Sequence, residues 1–299
     1  MSDATLSQAN RLLELIAREK DPRNFLQGLL ESYGAVQQIG RGVVGQAVFE
    51  RMAAQENNPY ISEKAAVPYN YPHGWEQKRV GQQVEILQEF YPMLDSSMVE
   101  EIARGLIVPR QADGLFVVPK PSSVGIVRQI GEIFTTNYGW LVEVVLHHIA
   151  ERLALKNWRI DKLGPDYLRV RESTLIRLLL LEIRTPGDYL VFPAQTGMKF
   201  AGYSGRNSHW VIDHNTHEFG LEVWCGGHML LTHPERLTKN EDLGIYLPGT
   251  EYCSNPGDVF NQLLSFGFSD GVVNFDYEWD SNFYPHIGHA SGFGRPTLP

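Results

Sequence analysis

Side chains that can bind a metal are concentrated in the last third of the chain. His209, His214 and His217 follow an H-x4-H-x2-H spacing, and Cys225 and His228 come shortly after them. Neutral imidazole and thiolate are ligands that zinc prefers. His209, His214, His217 and His228 are therefore candidate ligands of a divalent metal such as zinc. Hydrogen-bonded or surface histidines are the alternative, because no pair has the His-Glu-x-x-His spacing that places two imidazoles on one helical face.

Three carboxylates alternate with aromatic rings close to the C-terminus. On a strand, a period of two sends the carboxylates to one face and the rings to the other. Oxygen ligands of this kind suit calcium or magnesium. The alternative, which we favour, is an amphipathic strand with its acidic side in water. The carboxylates are Asp276, Glu278 and Asp280, and the rings are Phe275, Tyr277 and Trp279.

The sequence contains only weak patterns of a catalytic nucleophile. Cys225 lies in the string V-W-C-G-G-H, in which the glycines could expose a thiol. A free cysteine is more often a small apolar residue of the core. Ser204 misses the G-x-S-x-G pattern by one position, which favours a turn serine. We assign no catalytic residue from the sequence.

Basic residues cluster ahead of the histidines. Residues 156–206 carry nine basic and five acidic side chains, and Lys199 and Arg206 flank a glycine-rich turn. The candidate ligand-binding residues are Lys199, Arg206 and Glu218. The two cationic side chains suit an anionic ligand. In the alternative that we favour, the basic segment faces the acidic last third of the same molecule, since loose charge pairing needs no special geometry.

The negative charge of the chain comes from its last third. Residues 207–299 hold 3 basic and 12 acidic side chains, and 3 − 12 equals the net charge of −9 for the whole chain. Such a surface repels the phosphate backbone of a nucleic acid. Binding of nucleic acid through this third is therefore not expected.

Composition indicates a globular protein. Of the 299 residues, 43% are hydrophobic and 11% aromatic, which excludes disorder as the main state. No apolar run reaches the roughly 18 residues of a membrane span. The first residues lack a secretory signal, and two cysteines are too few for a disulfide scaffold. We therefore expect a cytoplasmic protein that does not bind membranes.

Helical signals dominate residues 1–155. A long helical pattern extends from Ser123 to about Leu155. Within 106–119, two short apolar runs flank Asp113-Gly114, a spacing that predicts a hairpin.

Strand and turn signals are prominent in residues 156–299. A helix over Glu172 to Ile183 and a buried strand over Tyr189 to Phe192 come first. Two alternating runs over 264–279 then meet at Asp270-Gly271, the sequence of a type I′ hairpin. The sequence thus predicts an α+β fold, with a mainly helical region over 1–155 and a mixed, strand-rich region over 156–299.

Two functions are compatible with these patterns. The first is a non-catalytic binding or assembly protein, with a protein partner or a second copy of the chain. The second is a metal-dependent hydrolase, in which the C-terminal histidine cluster holds a metal that activates water.

Overall fold

The described residues of the computed structural model are 57–124, 134, 137–215 and 217–294. They form seven α-helices and ten β-strands in two sheets, and this confirms the predicted α+β class. Pro59–Gly294 form one compact unit. The division into regions 1–155 and 156–299 stays a prediction, because residues 1–56 lie outside the described residues.

The bounds of the elements are as follows. The helices are α1 (Val80–Phe90), α2 (Val99–Gly105), α3 (Pro121–Val124), α4 (Tyr138–Arg152), α5 (Glu172–Arg184), α6 (Gly205–Asp213) and α7 (Val223–Thr232). The strands are β1 (Gly114–Pro119), β2 (Leu155–Asn157), β3 (Leu168–Val170), β4 (Tyr189–Gln195), β5 (Glu218–Gly220), β6 (Ile245–Tyr246), β7 (Thr250–Tyr252), β8 (Gln262–Ser269), β9 (Val272–Trp279) and β10 (Ser291–Phe293).

The smaller sheet has the strand order β1-β4-β10-β5, with antiparallel neighbours throughout. Its strand β4 is buried at every position. A strand covered on both faces has no solvent side, so its sequence is a nearly continuous apolar run instead of an alternation. The strand predicted over Tyr189 to Phe192 is confirmed, and it continues to Gln195.

The larger sheet has the order β2-β9-β8-β7-β3, and β6 also pairs with β8. Strands β8 and β9 form a hairpin in which Gln262 lies opposite Trp279. Asp270 and Gly271 join them with φ angles of 54° and 80°. Two successive left-handed residues are what a type I′ turn requires, so the predicted hairpin is confirmed.

Register separates the charged and aromatic side chains of β9. Tyr277 lies opposite Leu264, whereas Asp276 lies opposite Ser265. Directly opposed residues share a face, so the ring and the carboxylate project on opposite sides of the sheet. Asp280 follows the last residue of β9 and is not part of the strand.

Helix α7 is buried along its whole length and packs against α4 and β1. Its Gly227 allows this approach, since an added Cβ would lie 2.7 Å from a methyl carbon of Val145 on α4. A helix that is covered on all sides needs apolar or small residues all round, as V-W-C-G-G-H-M-L-L-T largely provides.

Two expectations need correction. Residues 106–108 form no strand, and β1 pairs with β4 instead of forming a local hairpin. Strand β4 offers β1 six opposed positions, which a local partner of three residues could not match. In place of the single helix expected from Ser123 to Leu155, the described residues contain two helices, α3 and α4, and most of 125–136 lies outside the described residues.

No helix in the described residues is long and apolar enough to cross a membrane.

Candidate functional site

His228 is held inside the core. It lies in the middle of α7, where its Nδ1 donates to the carbonyl of Trp224 at 2.7 Å. Its Nε2 then accepts from the hydroxyl of Tyr91 at 2.9 Å. Burial lowers the pKa of His228 to about 3, so the ring is neutral at neutral pH. Both ring nitrogens are engaged within the fold.

The other predicted metal ligands also have partners of their own. In α6, His209 donates from Nε2 to the carbonyl of Pro248 at 2.9 Å, and burial lowers its pKa. His214 donates from Nδ1 to the carbonyl of Trp210 at 2.8 Å and stacks on that ring. His217 follows and is exposed. In the part of the chain that the structure describes, no three His, Cys, Asp or Glu side chains are placed to hold one ion.

Cys225 and Glu222 form the start of α7. The Glu222 carboxyl accepts from the backbone N–H groups of Trp224 at 2.6 Å and Cys225 at 2.8 Å, which is the geometry of an N-cap. It also accepts from the hydroxyl of Tyr138 at 2.8 Å. Burial raises the pKa of the Cys225 thiol well above its usual value. A neutral buried thiol is a poor nucleophile, and this favours the reading of Cys225 as a core residue.

Lys199 and Glu218 meet in the smaller sheet. Lys199 lies on the 3-10 turn after β4, and its Nζ pairs with Oε2 of the Glu218 carboxylate at the start of β5. The same carboxylate accepts from Asn215 Nδ2 at 2.7 Å and from Ser291 Oγ at 2.6 Å. Ser291 in turn accepts from Gln195 Nε2 at 2.9 Å. The buried carboxylate is thus fully hydrogen-bonded.

Arg206, the third candidate ligand-binding residue, has a different partner. Its Nη2 lies 2.5 Å from Oε1 of Glu63. Ser204, the N-cap of α6, donates to the other oxygen of Glu63 at 2.6 Å. The structure therefore joins Lys199 to Glu218 and directs Arg206 to a residue far away in the sequence.

Basic side chains of residues 156–206 form ion pairs with carboxylates of residues 207–299, as we favoured. Arg171 bridges two carboxylates, at 2.8 Å from Asp213 and 3.0 Å from Glu251. Arg169 Nε lies 2.7 Å from the second oxygen of Glu251. Their positive charges are compensated within the molecule.

A cluster of aromatic and polar side chains lies on one face of the larger sheet, across β7, β8 and β9. Tyr252 is opposite Gln262, and Gln262 is opposite Trp279, so the three share a face. The ring of Tyr277 lies between, with its centroid 5.4 Å from that of Tyr252 and 6.5 Å from that of Trp279. The Arg159 guanidinium lies 4.8 Å from the Tyr277 centroid. We call these five residues the rim cluster.

The rim cluster combines an exposed ring with buried polar atoms. Trp279 is 45% exposed, whereas Tyr252 and Gln262 are 0% and 2% exposed. Tyr252 Oη is buried and interacts with the Arg159 guanidinium, whereas Gln262 Oε1 is buried without a hydrogen-bond partner among the described residues. A buried polar atom without a partner costs about 1–3 kcal/mol. Such an atom opposite an exposed tryptophan needs a physical explanation.

The electrostatics of the rim cluster are balanced. Arg159 Nε lies 3.1 Å from Oδ1 of Asp276, so its positive charge has a counterion. Burial raises the pKa of Tyr252, and the Arg159 guanidinium acts in the opposite direction. The phenol is neutral at neutral pH. The buried polar atoms offered by the cluster are therefore uncharged.

No pattern in the sequence indicated that Tyr252, Gln262 or Arg159 belongs to a functional site. The alternation over 275–279 indicated a ring face, and this was the only local signal. The partners of that face come from β7 and β8, and their register depends on strand pairing that no short motif specifies.

Comparison with known proteins identifies no relative. No protein-family profile matches the chain, and neither a curated protein nor a solved structure matches it significantly. We therefore infer a function from the chemistry of the described side chains alone.

Proposed function

We propose that the protein is a non-catalytic binding protein and that the rim cluster contacts its ligand. The observation that carries the proposal is Gln262 Oε1, a buried atom without a hydrogen-bond partner among the described residues, beside the exposed ring of Trp279. Ligand sites combine apolar and aromatic surface with a few polar groups that fix the orientation of the ligand. A hydrogen-bond donor of a ligand that packed on Trp279, the residue directly opposite Gln262, would remove the cost of leaving Gln262 Oε1 unpaired.

The reactive side chains of the described residues support a binding role over a catalytic one. Cys225 is buried and neutral, and Glu222 caps a helix. Lys199 and Glu218 are paired with each other. Each of these groups stabilises the fold. Because they are engaged in this way, they are less available for proton transfer or nucleophilic attack.

The substitution Gln262→Met tests this proposal without knowledge of the ligand. It removes the unpaired amide oxygen and gives up only one long hydrogen bond, 3.3 Å from Nε2 to Ser254 Oγ, so we expect the ligand-free variant to be more stable by about 1 kcal/mol. Gln195→Met is the matched control, because the Gln195 amide is equally buried but donates to the carbonyl of His289 and to Ser291 Oγ and accepts from the N–H of Gly197. It should destabilise the protein by about 1–3 kcal/mol.

Urea denaturation of the ligand-free proteins measures both effects. Opposite signs for the two substitutions support a binding surface with an unfilled polar group. A loss of stability in Gln262→Met would mean that the amide oxygen already has a partner, such as an ordered water, and the proposal would then fail.

A further inference from the structure

Three aromatic rings are exposed close together at the end of β9. Trp279, Phe283 and Tyr284 are 45%, 42% and 43% exposed. The N–H of Asn282 donates to the carbonyl of Trp279 at 3.0 Å, which closes a turn and keeps the rings on one stretch of surface. Large apolar side chains that are exposed together are typical of an interaction surface. We call Trp279, Phe283 and Tyr284 the aromatic patch.

The aromatic patch is bordered by two carboxylates that form no ion pair among the described residues. Glu278 accepts from neutral donors, the backbone N–H of the next residue at 2.9 Å and Asn282 Nδ2 at 2.7 Å. Asp280 lies near Arg206, but the guanidinium of Arg206 pairs with Glu63. Burial raises the pKa of Asp280, which is the behaviour of a carboxyl group that lacks a cation of its own.

No cation of the described residues lies against the aromatic patch. Residues 240–294 contain eight carboxylates and neither Lys nor Arg. Rings elsewhere beside the same sheet do have a cation, since Arg159 lies 4.8 Å from the ring centroid of Tyr277, and Lys156 lies 3.5 Å from that of Trp158. The rings of the patch therefore keep faces that a cation from outside the molecule can approach.

We infer that the aromatic patch, together with Glu278 and Asp280, binds an Arg- or Lys-rich segment of a partner protein. This inference rests on the proposed function, because Trp279 belongs to both the rim cluster and the aromatic patch, and it names the class of partner. Cationic side chains are attracted to the faces of aromatic rings. The two carboxylates add negative charge that the fold leaves uncompensated, and complementary charge of this kind selects the partner. Because the rings and carboxylates extend over 278–284, a chain with several spaced cations engages more of them than a single small cation does.

Titration of the full chain with a fluorescently labelled peptide of alternating arginine and glycine tests the inference. In the matched probe, citrulline replaces every arginine and keeps its shape without the charge. We expect fluorescence anisotropy to detect binding of the arginine peptide in low salt, with a dissociation constant about tenfold or more higher for the citrulline peptide. Binding should also weaken when the salt concentration is raised, because exposed charges are screened.

Two pairs of variants locate the contact. Trp279→Ala should weaken binding of the arginine peptide by about tenfold, whereas Trp158→Ala, which removes a 48% exposed ring that Lys156 already covers, should leave it unchanged. Glu278→Gln should weaken binding by about threefold or more. Asp270→Asn removes one charge at the other end of the β8–β9 hairpin and keeps a sequence suited to the type I′ turn, so it should leave binding unchanged.

Other outcomes would overturn the inference. Equal binding of the arginine and citrulline peptides, or equal losses in a variant and its control, would show that the contact is not cationic or does not lie at the aromatic patch. A dimer in light scattering that Trp279→Ala dissociates would identify the occupant as a second copy of the chain. If the arginine peptide does not bind, the class of partner is wrong, whereas a stabilising Gln262→Met would leave the proposed binding surface intact.

Discussion

The ion pair between Lys199 and Glu218 tests whether these two residues serve the fold or a ligand. The Glu218 side chain is 0% exposed and that of Lys199 is 19% exposed. Removing one partner of a buried pair leaves an uncompensated charge and costs about 3–5 kcal/mol. Lys199→Met is the appropriate change, because it keeps an unbranched apolar stem next to the rings of Phe200 and Phe293.

The expected loss can be divided by a double-mutant cycle. In Lys199→Met, the Glu218 carboxylate keeps only the neutral donors Asn215 and Ser291, so we expect a loss of about 3–5 kcal/mol. In a Glu218→Gln background no charge is left behind, and the same change should cost about 1 kcal/mol. The coupling energy is then about 2–4 kcal/mol.

Urea denaturation at pH 7 of the wild type, both single variants and the double variant measures this coupling. For a unit of this size, each kcal/mol corresponds to roughly 2–4 °C in Tm, so thermal melting gives an independent reading. A coupling below about 0.5 kcal/mol would refute the reasoning. It would mean that water screens the pair and that Lys199 is available to an external ligand, the possibility that the sequence left open beside internal charge pairing.

Three further predictions concern protonation, packing and metal content. His228 has a pKa of about 3 in the fold against 6.5 when unfolded, so the stability it contributes is present above pH 6.5 and is lost as the pH falls. His228→Gln should therefore reduce the slope of the unfolding free energy against pH, between pH 4 and 6, by about 1.4 kcal/mol per pH unit. Urea denaturation at several pH values measures this slope, and an unchanged slope would contradict the burial of His228. Gly139→Ala should destabilise the protein by about 1–3 kcal/mol, because the added Cβ would collide with the carbonyl oxygen of Leu163. Gly105→Ala, whose Cβ would meet open space, should be neutral or stabilising, and thermal melting of both variants measures the difference. Elemental analysis should find no stoichiometric zinc; zinc that is lost when His214 and His217 are replaced would instead favour the hydrolase.

Some local signals in the sequence predicted local structure correctly, although the hairpin signal at Asp113-Gly114 did not. Asp270-Gly271 specifies its own turn, since both residues tolerate the left-handed conformation that the hairpin needs. Helix α5 ends at Arg184, one residue beyond the predicted Ile183, because Pro186 follows. These features depend on a few adjacent residues, so a single sequence contains the information that determines them.

The candidate site was less predictable because its contacts are long-range. Lys199 and Glu218 were selected for their charges, but nothing local indicated that they would pair with each other. Arg206 pairs with Glu63, which lies 143 residues away in the sequence. The spacing of the histidines suggested convergence, but His228 is directed into the core by Tyr91 and the backbone of its own helix.

The distribution of paired and unpaired polar groups distinguishes folding from binding. Arg171 and Lys199 lie within the basic segment, and both are neutralised by carboxylates of the acidic third. Compensation of this kind satisfies buried charges and leaves little for a ligand to gain. Gln262 is different, because its Oε1 is buried without a partner among the described residues, beside the exposed ring of Trp279. A ligand gains more from such a group than from a compensated ion pair, and we therefore propose the rim cluster, and not the basic segment, as the binding surface.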